Sequence, residues 1–438
     1  NIETMMGPEP EDMGFIKNAF WGRFREDLVF PYPEESDDER EKCDALLAEL
    51  EEYLENEHPR VEIDREQYIP QSVIDRLFDM GVMGMIIPEE YGGLGLGVTS
   101  YNRVLEMIGR YCASTAVMVS AHQSIGCKAL VMFGTEEQKE EYLPMVAREK
   151  LSAFCLSEPN VGSDAAGQES FSVKTEDDHY ILNGEKKWST SGALSGLFTV
   201  MCKNMVPNPE TGELEQKGVN ALIVTPDMDG VEIFEKNRSK TGIRGTWQAR
   251  FRFNDVRVPK ENLLHKEGAG LKVALSCLNY GRCTLSAGVT GAAKAAKEQG
   301  IKWAQTRYQF DRPIADFELV QQKIARMSAV TYAMDAMLYM MTGMLDRGDT
   351  DIMVETAITK VFCSQFGWEV IDEVMQIMGG EGYMTEHEVE RAWRDNRIHS
   401  IVEGSNEVMQ GFIFAYGGKQ LAEQMLSVQD ALLWDTDE

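Results

Sequence analysis

Apolar positions recur at helical spacing through the first third of the chain, alternate as in strands through the middle, and return to helical spacing towards the end. In residues 36–57, Leu46, Leu47, Leu50 and Leu54 form one stripe in an otherwise acidic run. This predicts a helix with one face on a core, its acids solvated rather than gathered for calcium or a partner. Residues 69–81 put Val73, Ile74, Leu77 and Phe78 on one face and stop at Gly81. The glycine-rich stretch 88–97 reads as a turn; without a following Lys-Ser/Thr it is not a phosphate loop. Helical patterns return from Ser100 to Phe133, and Thr135 with Gln138 predicts a capping box for a helix ending before Pro144. Residues 14–33 mix aromatics with charge, close on Pro31 and Pro33, and read as an arm on the surface.

From about residue 151 to 260 the stretches 171–175, 180–188, 197–203, 219–226 and 248–258 read as strands, with Asn183-Gly184 as a hairpin turn. They predict an antiparallel β-domain. From Gly268 to about residue 428 long amphipathic runs predict helices, and the Met and Tyr of residues 325–345 read as bundle core rather than a cofactor box.

A length of 438 residues implies two or three packed units. The net charge of −29 argues against nucleic acid or an anionic membrane surface as partner. Eight cysteines without a CxxC pair read as reduced core residues of an intracellular protein, and six scattered histidines give no reason to expect a metal. No stretch reads as long and apolar enough to span a bilayer: Thr115 to Phe133, broken by His122, Gln123, Ser124 and Lys128, reads as a buried helix. No signal peptide is read at the start. The chain opens on Asn1 rather than Met, so residues before it, and trimming at the end, stay open.

Candidate chemistry collects in three places. In residues 394–410, Glu403 stands between Ile398, Ile401 and Val402 on one side and Gly404-Ser405 on the other. A carboxylate beside apolar residues loses solvation, and its raised proton affinity suits a general base. Gly404 permits close approach of a ligand, and Ser405 and Asn406 offer hydrogen bonds at the start of the next helix. Taken alone, a surface acid before a helix cap is the plainer reading. In residues 154–167, Pro159, Gly162 and Gly167 break regular structure, and Ser157 and Ser163 are suited to a phosphate or the edge of a flat ring. Trp188, followed by Ser189, Thr190 and Ser191, suits either a wall for such a ring or a packed core. Neither GxGxxG nor GxSxG occurs, against nicotinamide-dehydrogenase and serine-hydrolase readings.

The segments FCLSEPNVGSD, YILNGEKKWSTSG, FRFNDVRVP, RYQF, QIMGGEGY and IVEGSNE, in this order and spacing, resemble the acyl-CoA dehydrogenase family over about residues 60–428. FPYP (30–33), residues 120–144 and LNYGR (278–282) look most like its very-long-chain branch. That branch carries a further helical region; with the chain ending at Glu438, the region is expected to be absent, trimmed or replaced.

The resemblance implies an α+β fold: a helical amino-terminal domain with its arm (1–150), a middle antiparallel β-barrel (151–262) and a carboxy-terminal four-helix bundle (263–438). FAD is expected at a subunit interface of a homodimer or homotetramer. By position, Phe154, Leu156, Ser157, Gly162 and Ser163 line the flavin, Trp188 covers its ring and Thr190 hydrogen-bonds near N5. Arg307 to Phe310 and Gln376 to Gly380 reach the partner subunit's FAD, and Ser405 and Glu407 hold FAD at a helix start. Ser163, Asn279, Arg282 and Gly404 match positions that hold the CoA thioester. Glu403 matches the base that removes the α-proton while the β-hydrogen leaves as hydride to the flavin. The thioester oxygen is expected between the Glu403 backbone N–H and a ribityl hydroxyl. The helix position where other branches carry the base is Gly281, which has no acid.

Departures from the family pattern are Ser189 for Ile, Ser191 for Asn, Asp311 for Gly, Ser405 for Thr, and Asn279 for the Asp of medium-chain relatives. Asp311 is the hardest to rationalise, since it brings charge near a pyrophosphate-binding Arg. The implied activity is oxidation of a long-chain acyl-CoA to trans-2-enoyl-CoA, with electron-transfer flavoprotein as acceptor, in a bacterial cytoplasm or mitochondrial matrix. An acyl-CoA oxidase and a non-catalytic scaffold on the same fold are the alternatives. Gly126, with Ser120 and Ala121, suits either a deep acyl pocket or close helix packing.

Overall fold

The computed structural model describes residues 13–434 and follows the changes of period along the chain. The first helical part comprises α1 (Phe15–Phe20), α2 (Asp37–Asn56), α3 (Arg60–Glu66), α4 (Gln71–Asp79), α5 (Val98–Tyr111), α6 (Ala113–Ser120), a π-helical segment (Ala121–Cys127), α7 (Lys128–Phe133) and α8 (Glu136–Arg148). Ser36 caps α2, and Leu46, Leu50 and Leu54 are buried as the stripe requires. The Thr135/Gln138 capping box is present. The helix it starts runs on through Pro144 to Arg148, contrary to expectation. Pro144 faces solvent while Tyr142, Leu143, Val146 and Ala147 are buried, so packing on both sides offsets the hydrogen bond lost at the proline.

The arm is docked firmly. Lys17 pairs with Asp351, the Gly14 N–H donates to Asp351 Oδ2 (2.8 Å) and the Ile16 N–H to Glu355 Oε1 (2.8 Å). One sequence expectation needs correcting: Ala113–Phe133 is a continuous helical run long and apolar enough, by length and composition, to cross a membrane. In this fold it is mostly buried, and its polar residues have internal partners. His122 Nδ1 accepts from the Ser152 N–H (2.9 Å), and Gln123 Nε2 donates to the Val82 carbonyl (2.8 Å).

Seven strands follow: β1 (Leu151–Cys155), β2 (Phe171–Lys174), β3 (His179–Thr190), β4 (Ser195–Pro207), β5 (Leu214–Val224), β6 (Val231–Glu235) and β7 (Gln248–Pro259). The sheet is mixed and open, not the expected antiparallel barrel. β4 pairs parallel with β1 and then with β2 along one edge and antiparallel with β5 along the other. From β2 the order runs through β3 and β7 to β6, and no pairing among the described residues joins β5 to β6. The parallel pairings arise because β1 leads into the irregular loop 156–170 rather than a hairpin.

Asn183-Gly184 is not a turn either. β3 runs through it with a register shift against β7. Gly184 has φ +139°, and a Cβ there would lie 2.6 Å from Ser170 Cα, so the glycine serves a bulge and a close backbone approach. The β2–β3 reversal lies instead at 175–178, with Asp178 left-handed.

The last part comprises α9 (Gly270–Thr306), a small hairpin of β8 (Tyr308–Gln309) and β9 (Arg312–Pro313), α10 (Glu318–Arg347), α11 (Met353–Met378), α12 (Glu388–Asn396) and α13 (Asn406–Trp434). α9 and α11 run parallel: Thr356 Oγ1 hydrogen-bonds Asn279 Oδ1, Gly367 packs on Val289 and Gly300 on Val374. α10 runs antiparallel to both, tied by Lys294–Asp335, Lys323–Glu373 and Arg326–Glu369. Met327, Met334, Met341 and Met344 are buried along α10, as core. All eight cysteines are buried and free.

Candidate active site

After α12 the chain makes a short 3-10 turn over Arg397–Ser400, then enters α13 with Ser405 Oγ accepting from the Val408 N–H (3.4 Å). Between them Glu403 (φ +57°) and Gly404 (φ +91°) are both left-handed. For glutamate this costs on the order of 1 kcal/mol, and it needs surrounding structure to hold it. The reversal drives the carboxyl inward: Glu403 Oε2 is buried without a hydrogen-bond partner among the described residues. The facing residue is Gly281 of α9, where a Cβ would lie 2.6 Å from Oε2 and 3.0 Å from Cδ. Glycine at this position makes the room the carboxyl occupies.

Two cations flank that carboxyl. Arg282 of α9 is buried, with Nη1 donating to Asn279 Oδ1 (3.2 Å) and Nε unpaired. Lys360 of α11 is fully buried and donates to the Gly404 carbonyl (2.7 Å) and to Asn406 Oδ1 (2.8 Å). Burial pushes the Glu403 carboxyl up to about 7, against the pull of Arg282 and Lys360. Burial likewise brings the Lys360 ammonium down to about 8, with Glu403 opposing. The structure thus gathers Glu403, Gly404, Asn279, Arg282 and Ser405. Sequence reasoning missed Lys360: its helix also carries Glu355, Glu369, Asp372 and Glu373, so a lysine there does not stand out.

A second group lies on the sheet. Loop 156–170 is stapled from beneath by Lys186, which is fully buried and donates to the Leu156 carbonyl (3.1 Å), Glu158 Oε1 (2.5 Å) and Gln168 Oε1 (2.5 Å). Glu158 also accepts from the backbone N–H groups of Glu169 and Ser170. Phe154 ends buried in β1, Leu156 and Ser157 are half-buried, and Gly162 and Ser163 form the exposed tip. Trp188 sits left-handed (φ +61°) at a bulge in β3, which turns its ring outward to 45% exposure. It is not packed in the core. The Lys187 N–H donates to the Ser157 carbonyl (2.9 Å), joining Trp188's neighbour to the loop, and Thr190 Oγ1 pairs with Gln248. Lys186→Met is expected to destabilise the protein by about 3–5 kcal/mol, because Glu158 stays buried without its cation. Equilibrium unfolding in urea measures this.

A third group lies at the other end of α9. Arg307 follows the helix, and Phe310 (φ +52°) with Asp311 (φ +62°) makes the two-residue loop of the β8–β9 hairpin. Two successive left-handed residues are a type I′ turn, where Asp is tolerated after Gly and Asn. That accounts for Asp311 by backbone conformation. Phe310 is 88% exposed, Gln376 is exposed, and a Cβ at Gly379 or Gly380 would touch nothing, whereas the exposed Glu407 belongs to the first turn of α13, beside the Glu403 loop. With a rise of about 1.5 Å per residue, Arg307 lies roughly 39 Å along α9 from Gly281, so within one chain this group does not meet Glu403.

Gly126 serves packing rather than depth. A Cβ there would lie 2.2 Å from Ser152 Oγ, and Ser120 Oγ is bonded to Thr284 Oγ1 (2.7 Å).

A buried, unpaired carboxyl of raised proton affinity beside open backbone equips an enzyme that abstracts a proton. Comparison with known proteins gives the family. The chain matches the acyl-CoA dehydrogenase N-terminal domain over residues 40–150, the middle domain over 153–256 and the C-terminal domain over 268–416, and it belongs to the acyl-CoA dehydrogenase family. It is 37% identical over 425 residues to the very long-chain specific acyl-CoA dehydrogenase, mitochondrial, of Macaca fascicularis, covering 96% of this chain and 65% of that one. Butyryl-CoA dehydrogenase from Megasphaera elsdenii superposes with TM-score 0.79 at 32% identity, covering 86% of this chain and 97% of that one. An acyl-CoA dehydrogenase from Bacillus anthracis complexed with FAD gives TM-score 0.81 at 33% identity, covering 94% and 73%. The chain spans 64–65% of the length of the first very-long-chain relatives it matches. Acyl-CoA dehydrogenases are FAD enzymes. The outward Trp188 ring and the open backbone at Gly162, Gly379 and Gly380 fit a flat cofactor with a phosphate tail.

Proposed function

We propose that this chain catalyses the α,β-dehydrogenation of a long-chain acyl-CoA to the trans-2-enoyl-CoA, with electron-transfer flavoprotein receiving the electrons. The observation that carries the reading is the unpaired Glu403 Oε2, buried against Gly281. Glu403 takes the α-proton; its raised proton affinity strengthens it as a base, while Arg282 and Lys360 keep its charged form within reach. Asn279, Arg282, Ser163 and the Gly404 backbone are assigned to the thioester. Phe154, Leu156, Ser157, Gly162, Ser163, Trp188, Thr190, Ser405 and Glu407 are assigned to FAD in the same chain. Arg307, Phe310, Gln376 and Gly380, remote along α9, are assigned to the FAD of a second copy. Bound there, FAD supplies the acceptor for the hydride leaving the β-carbon. The long-chain preference draws on the very-long-chain relatives.

Anaerobic titration with acyl-CoAs of graded length tests the reading. Bleaching of the oxidised flavin band is expected with long-chain thioesters; a flavin-loaded protein bleached by none would overturn it. The pH dependence follows from the base. Only ionised Glu403 accepts a proton, so kcat/KM is expected to fall as pH drops through about 7 and to level off above it. Steady-state rates between pH 5.5 and 8.5 (roughly one and a half units either side of 7) check this.

A further inference from the structure

Lys360 is an expensive residue to bury. A lysine taken fully out of water loses hydration worth several kcal/mol unless partners replace it, and here two acceptors do so from one loop: the Gly404 carbonyl and Asn406 Oδ1. Ser364, one turn along α11, donates to the same Asn406 oxygen (3.0 Å). α11 therefore grips the chain at Gly404 and just beyond the left-handed pair Glu403-Gly404. Arg282, the other nearby cation, is tied to Asn279 on its own helix and has no hydrogen bond to the loop among the described residues. We propose that Lys360 is a positioning residue for the base: its buried ammonium pins the Glu403-Gly404 turn and supplies a positive charge to the Glu403 carboxylate. This rests on the reading of Glu403 as the base.

The charged and titratable neighbours are few. Glu403 faces Arg282 from α9 and Lys360 from α11, while Tyr101 of α5 and Cys283 of α9 are held neutral near it by burial. Lys360 faces Glu403, the exposed Glu407 of α13, and Arg282. His399 beside it is pushed down to about 4 by burial, then by Lys360, and carries no charge at neutral pH. A cation close to a carboxylate lowers its proton affinity by tenfold or more, so removing this one has a readable sign.

Three variants separate the roles. Lys360→Gln keeps a donor and drops the charge, Lys360→Met drops both, and Lys360→Arg keeps the charge. The pH profile of flavin reduction by acyl-CoA is expected to move up by about one unit, a tenfold weaker acid, in the Gln and Met variants. It is expected to stay in place in Lys360→Arg. A second readout needs no turnover: the melting temperature of each protein relative to its Glu403→Gln form, against pH. A carboxyl whose proton affinity is raised by folding loses stability as pH climbs from its unfolded to its folded midpoint. The parent's difference should therefore fall until about pH 7 and then flatten. In Lys360→Gln the fall should continue about one unit further. Unchanged midpoints in both charge-free variants would overturn the proposal and leave Lys360 a packing residue. If the parent is bleached by no thioester, the assigned activity fails, and the melting comparison still decides what Lys360 does. Should Lys360→Met not fold, the Gln and Arg pair gives the same comparison.

Discussion

Glu403→Gln is expected to abolish flavin bleaching by acyl-CoA, slowing it by about 10³–10⁴-fold, the upper range for loss of a positioned general base. Flavin content and thioester binding are expected to persist. Glutamine has nearly the same shape, and the carboxyl it replaces makes no hydrogen bond through Oε2. Above pH 7 the variant should melt no lower than the parent, because it removes a charge from a buried position. Rapid-mixing spectroscopy of anaerobic enzyme with a long-chain acyl-CoA gives the rate, and undiminished bleaching would mean that another group takes the proton.

Gly281→Ala is expected to move stability and activity in opposite directions. Position 281 lies within regular helix, where alanine is preferred over glycine by up to about 1 kcal/mol. The atoms a Cβ would meet are the end of a flexible side chain, which can move aside at little cost to the fold. Those atoms belong to the Glu403 carboxyl, the base proposed above. A displacement of about 1 Å in a reacting group costs on the order of 10²-fold in rate, so turnover should drop by 10- to 100-fold while the melting temperature holds or rises. Parallel calorimetry and flavin-reduction kinetics on one preparation test both halves.

Much of this architecture was legible before any coordinates, for reasons that differ by element. The stripe of Leu46, Leu50 and Leu54 and the Thr135 capping box are local, and local signals survive folding. Glu403 became a candidate only because surrounding motifs matched a family; its own stretch reads more plainly as a surface acid before a helix cap. β1 escaped the period because LSAFC is buried on both faces and has no alternation to read. Asn183-Gly184 misled because the same permissive backbone serves a turn or a bulge, and only the approach of Ser170 decides which. Lys360 was invisible as a site residue because its acceptors lie 44 and 46 positions away in sequence. Nothing local distinguishes it from a lysine whose head reaches solvent.

The contact between Gly281 and Glu403 also bears on how such a site changes over generations. An acid arising on the helix and the acid already on the loop would compete for one small volume, and two carboxylates there would each raise the other's proton affinity. Neither order of single replacements is comfortable: adding the second acid first crowds and repels, and losing the first leaves no acceptor for the proton. A lineage that relocates its base from loop to helix therefore crosses a valley, and the residues at 281 and 403 are expected to change as a pair. With glycine on the helix and glutamate on the loop, this chain stands on one side of that valley.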